Sequence, residues 1–112
     1  MFNKNHNCLL SIIEAINKIQ SYSNDFIDGD HLYEDNKSFD AVLMNFIVIG
    51  EMAEKLSEDF KEKNNHIDWF NIKGFRNIIA HNYFGIDAEE IWQITQNDIP
   101  KLKSQIKKIT NT

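Results

Sequence analysis

From Phe39 to about Phe60 the apolar residues fall on two adjoining helical stripes. Phe39, Leu43, Phe46, Gly50, Ala53 and Phe60 form one, small in its middle, and Val42, Ile49, Met52 and Leu56 form the other. Apolar surface that wide needs cover on more than one side, so the spacing predicts a helix at the centre of a bundle or of a dimer. Ser38 is the expected N-cap, with Asp40 well placed in the first turn. Gly50 and Ala53 would let a neighbouring backbone come close, although Gly in a helix interior costs about 1 kcal/mol. Glu51 lies amid these apolar residues and is costly to bury alone. It is either paired, with Arg76 as the available partner, or turned to solvent.

The flanking segments have the same period. Leu9, Ile12, Ile13, Ile16, Ile19 and Tyr22 recur at three- and four-residue steps and predict an amphipathic helix from about Asn7 to Tyr22. Residues 23–37 break the pattern. Their acids lack the register of a calcium loop. Asp28 is instead suited to cap a short helical turn through Tyr33, with His31 at the surface. Lys61 to His66 reads as a polar connector. Asp68 then caps a third helix that carries Trp69, Phe70, Ile72, Phe75, Ile78, Ile79 and Tyr83, with Asn82 and Gly85 suited to end it. Asp87 caps the fourth. Pro100 cannot donate to its ladder, so it either kinks one helix or starts a second piece capped by Asn97 or Asp98. The expected fold is all-α: an antiparallel four-helix bundle, the last helix broken near Pro100, with a short extra turn around residues 28–33. Residues 1–112 are read as one domain.

Charge and cysteine content narrow the function classes. A net charge of −5 argues against a protein that coats nucleic acid non-specifically. The charge is uneven, however. Residues 14–59 carry eleven acids against three lysines, whereas residues 60–84 carry four cations against two acids. A locally basic segment in an acidic chain permits a confined RNA or nucleotide contact, and the acidic part could equally meet a basic protein. One cysteine, Cys8, allows neither an internal disulfide nor a multi-cysteine metal site. No apolar run approaches the roughly 18 residues that span a bilayer, and the N-terminus is too polar for a signal peptide. A cytoplasmic protein without membrane contact is the expectation.

The chemistry concentrates in the segment from Gly74 to Gly85. Arg76 is the sole arginine among twelve Lys and Arg residues, and it precedes His81 by five positions and Tyr83 by seven. A fixed planar cation, a group that titrates near neutrality and a phenol suit phosphate chemistry. Such residues near a helix end also serve as capping groups. On an ideal helix Arg76 and Tyr83 are about 20° apart, while Arg76 and His81 are about 140° apart. Asn77 and His81 form an i,i+4 pair, so the amide could orient the imidazole. Arg76 and His81 converge if the helix loosens near His81 or if a second subunit completes the site. His66 and His81 share no register and Cys8 is remote, so no metal set is expected and no cofactor is called for.

The string Arg76-Asn77-x-x-x-His81-x-Tyr83 resembles the Arg-x4-His-x-Tyr motif of HepT-type toxins in the HEPN superfamily. Asp40-Ala41-Val42, Ile49-Gly50-Glu51, Trp69, Tyr83 to Asp87, Ile91-Trp92 and Asn97 to Pro100 follow in the order of that family. The likeness spans nearly the whole chain and is weakest over residues 23–37. It implies a HEPN-type bundle, a homodimer with facing motifs, and metal-independent endoribonuclease activity on an RNA such as tRNA or mRNA. By that likeness Arg76 holds the scissile phosphate, His81 transfers protons, Asn77 and Glu51 support them, and the RNA 2′-hydroxyl attacks. Tyr83 would be adenylylated by an MntA-type nucleotidyltransferase antitoxin. The alternative is a non-catalytic HEPN subunit that docks and presents a nucleotidyltransferase.

Overall fold

The computed structural model describes residues 3–82 and 85–110, with the side chains of residues 80–82 outside that description. Helix α1 runs Lys4–Ser23, earlier than the apolar pattern alone suggests, because the Asn3 side chain accepts from the Asn5 and His6 amides. Leu9, Ile12, Ile16 and Ile19 are buried as expected. Tyr22 is not; it is 38% exposed. Ser23 takes the buried position beside it and satisfies its hydroxyl on the Ile19 carbonyl at 2.8 Å.

The expected extra turn is α2, Gly29–Glu34, capped by Asp28 through the His31 amide at 2.8 Å. It packs on the start of α6 (Ala88–Gln93) at Gly29, where a Cβ would lie 2.6 Å from the Ala88 carbonyl oxygen.

The central helix α3 is Asn36–Lys55, displaced from the expected limits at both ends. Its cap is Asp35 rather than Ser38, whose own amide donates to the Asp35 carboxylate at 3.1 Å. It stops five residues short of Phe60. Leu56 adopts extended φ −64°, ψ 143° and drops into the core, and Ser57 caps a separate helix, α4 (Glu58–Lys63). The cause is distant in sequence. Asn5 accepts from the Ser57 amide at 3.0 Å and donates to its hydroxyl at 3.1 Å, so Ser57 has partners that a continuing helix would not supply. Phe60 therefore leaves the α3 stripe and stands 6.1 Å from the Trp69 ring. The expected connector is α4 plus a short turn, with Ile67 buried in the core.

Helix α5 is Trp69–Asn82, opened by Asp68, which accepts from the Asn71 amide at 3.0 Å. Asp87 opens α6 as expected, accepting from the Glu89 and Glu90 amides. The break expected near Pro100 takes the form of a π-helical segment, Ile94–Asp98, and the chain stays helical into α7, Ile99–Thr110. The Ile99 amide bonds the Ile94 carbonyl, five residues back. This wider turn just before Pro100 relieves the clash a proline ring makes with the preceding turn.

Cross-helix bonds set the directions. Asn5 meets Ser57, Gln20 meets Lys103, and Glu51 meets Arg76, so α1–α3, α1–α7 and α3–α5 each run antiparallel. Helix α3 packs on both α1 and α5, and α7 packs on α1. Phe46 of α3 and Phe75 of α5, both fully buried, pack with ring centroids 5.4 Å apart. Burying side chains of this size contributes about 1.5–3 kcal/mol each. Helices α5 and α7 line a groove of about 330 Å³ floored by Ile72, Phe75 and Leu102. Asn71 and Asp98 bridge its rim at 3.1 Å.

Candidate active site

The seam between α3 and α5 carries the charged groups. The two helices come close at Gly50, where a Cβ would sit 2.8 Å from the Cβ of Arg76. Gly50 thus lets the root of Arg76 rest against the α3 backbone. One residue further along α3, Glu51 Oε1 accepts from Arg76 Nη1 at 2.8 Å. The hydrogen bond to Glu51, and then its charge, raise the Arg76 pKa above the ordinary arginine value. Of the two readings open for Glu51, pairing with Arg76 is the one the fold adopts. The Arg76 side chain remains 30% exposed, so the cation is held but not sealed.

A second pair lies beside the first. Lys73 Nζ is 3.2 Å from Glu54 Oε2, with both side chains close to half exposed. The Lys73 hydrogen bond, and then its charge, hold the Glu54 carboxyl below its ordinary pKa. The pairs form two rungs, because Glu51 and Glu54 are three residues apart on α3 while Lys73 and Arg76 are three apart on antiparallel α5. Lys73 and Glu54 have no part in the motif reading of this site. The matched spacing was a signal for them, but it becomes meaningful once the two helices are known to pair.

Asn77 is exposed one position beyond Arg76. The backbone of α5 is helical through His81 to Asn82, so position 81 stays about 140° round the axis from Arg76. Loosening of the helix before His81 is therefore not how this chain would unite the two. Position 81 falls instead on the stripe of Phe70, Gly74 and Asn77. Phe70 was counted with the apolar content of α5, yet it is 89% exposed. Gly74 also faces open space, where an added Cβ would meet nothing within 4 Å. Tyr83 lies outside the described residues.

The Ribonuclease HepT-like family model matches residues 12–109. The chain belongs to the HepT-like family. The matched span includes both rungs of the seam and the whole stretch from Arg76 to Tyr83. Among related proteins, "Gamma-glutamylcyclotransferase and putative RNase MJ0434" of Methanocaldococcus jannaschii is 38% identical over 98 residues, which are 88% of this chain and 44% of that protein. "Putative RNase MJ1380" of the same organism is 34% identical over 98 residues, 88% of this chain and 89% of that one. "Probable ribonuclease HepT" of Thermococcus cleftensis is 32% identical over 101 residues, 90% of this chain and 91% of that one. The HepT-like chain thus spans less than half of the first relative and about nine-tenths of the other two. No solved structure gives a significant match. Among the described residues, no helix is long and apolar enough to cross a membrane.

Proposed function

We propose that this HepT-like chain is a metal-independent endoribonuclease, acts as a homodimer, and is the toxin of a pair whose antitoxin is an MntA-type nucleotidyltransferase. The observation that carries the reading is Arg76: a permanent cation, rooted against Gly50, oriented by Glu51 at 2.8 Å and still open to solvent. The relatives' names point to the same chemistry.

In this mechanism the RNA 2′-oxygen attacks the adjacent phosphorus, and the bond from phosphorus to the 5′-oxygen breaks. The 2′-hydroxyl loses its proton and the 5′-oxygen gains one, with His81 serving in the transfer. Arg76 stabilises the charge that develops on the phosphoryl oxygens. The products are a 2′,3′-cyclic phosphate and a free 5′-hydroxyl. A two-fold dimer that pairs Arg76 of one copy with His81 of the other would complete the site that a single straight helix leaves divided. Adenylylation of Tyr83 adds a phosphodiester charge and bulk to the site and closes it to RNA.

Purified protein should cleave RNA in EDTA. Arg76→Ala or His81→Ala should lower the rate at least 100-fold, on the scale of losing one electrostatic or acid–base group, while the dimer persists. Undiminished cleavage by both variants would sink the proposal. Intact-mass analysis after co-expression with the nucleotidyltransferase should find adenylate on Tyr83. The acidic N-terminal half favours a second reading, a non-catalytic subunit that presents the nucleotidyltransferase. A chain that binds the enzyme but never cleaves RNA would establish it.

A further inference from the structure

The geometry points to Lys73 as a second phosphate-binding residue, holding the RNA phosphate next to the one on Arg76, with Glu54 as its place-holder until RNA arrives. This rests on the ribonuclease reading and extends it along the RNA backbone. Lys73 and Arg76 are three residues apart, so both project from the edge of α5 that faces α3, about one helical turn apart. Each cation is tethered to one α3 carboxylate, at 3.2 Å and 2.8 Å respectively. Neither is buried by that contact, since the Lys73 side chain is 45% exposed.

The two tethers divide the work by side-chain chemistry. The planar fork of arginine suits the phosphate where charge develops, and the compact, rotatable ammonium of lysine suits a neighbouring phosphate that needs only a point charge. The carboxylate partner holds the lysine at the seam, about one turn from Arg76. The phosphate then replaces Glu54 as the partner of Lys73. Lys61 also lies near enough to act on Glu54, but it is bound back to Glu58 on its own helix at 3.3 Å and its side chain is mostly covered. It is outside this track.

The test uses two substitutions that break the same ion pair. Lys73→Gln and Glu54→Gln are compared with wild type for binding to a short single-stranded RNA whose 2′-hydroxyls are methylated and which cannot be cleaved by 2′-attack. Each phosphate contact on a single strand contributes about 0.7 to the slope of log affinity against log salt. Lys73→Gln should therefore flatten the slope by about 0.7 and weaken binding about fivefold at 0.1 M salt. Glu54→Gln should leave the slope unchanged and bind RNA as tightly as wild type or more so, although it shifts the melting temperature in the same direction as Lys73→Gln. Equal effects of the two variants on RNA affinity would make the pair purely structural and overturn the proposal. So would an unchanged slope in Lys73→Gln. Arg76→Ala in the same series separates the two levels of the argument. If it loses binding and cleavage while Lys73→Gln matches wild type, the subsite fails and the ribonuclease reading stands. If wild type neither binds nor cleaves RNA, both fall.

Discussion

Helix α3 has two seams, and they are built differently. Toward α1 it presents apolar side chains to apolar side chains: Phe39, Val42, Phe46 and Ile49 share one core with Leu9, Ile12, Ile16 and Ile19. Toward α5 it starts the same way, with Phe46 against Phe75, but then narrows at Gly50 and ends in two ion pairs open to solvent. The first seam gains from every methylene it buries. The second places a glycine mid-helix and leaves carboxylates and cations half exposed, choices that add little stability. One helix thus anchors the bundle on one side and positions charge on the other.

That contrast can be broken from either side. Ile16→Ala empties a fully buried site on the α1 seam and should cost about 2–5 kcal/mol in chemical denaturation. Cleavage per folded molecule should be unchanged at temperatures where the variant remains folded. Gly50→Val attacks the other seam. Its side chain meets the Cβ of Arg76 and the α5 backbone, so the two helices must part, at a cost of about 1–3 kcal/mol or more, and RNA cleavage should fall out of proportion to it. If the two variants lose activity in step with stability, the seams are not functionally distinct. Asp35→Ala removes the cap common to both and should cost about 1 kcal/mol, whereas Ser38→Ala should be nearly silent.

The smallest effect is in pH. Folding lowers the Glu54 pKa, so the folded protein binds that proton more weakly than the unfolded chain does. The stability Glu54 contributes is present at neutral pH and disappears as pH falls through its lowered folded value. Wild type should therefore exceed Glu54→Gln in stability near pH 7 and converge with it in acid.

Much of the bundle was legible in the residues because periodicity and local caps are short-range. The buried faces of α1 and α3 and the caps Asp28, Asp68 and Asp87 all follow from neighbours within a few turns, whereas the sequence left Glu51 open between Arg76 and solvent and the fold chose Arg76. Other features depend on partners that spacing does not reveal. Ser57 starts a new helix because Asn5, 52 residues earlier, meets it. Phe70 looks like core by composition, but the packing of α5 on α3 leaves it 89% exposed. Pro100 announced a disturbance, but its form, a π segment just before the proline with no break in the helix, was not legible.

The amino-acid sequence by itself determined that this chain is helical, which faces of its helices are apolar, and that its single arginine stands near a histidine and a tyrosine. These follow from a 3.6-residue repeat and from the chemistry of the side chains. Tertiary structure decided that α5 would be the helix that packs against Gly50 and that Lys73 would join Arg76 in a second rung. Those outcomes depend on the direction and spacing of two helices, which no local pattern encodes.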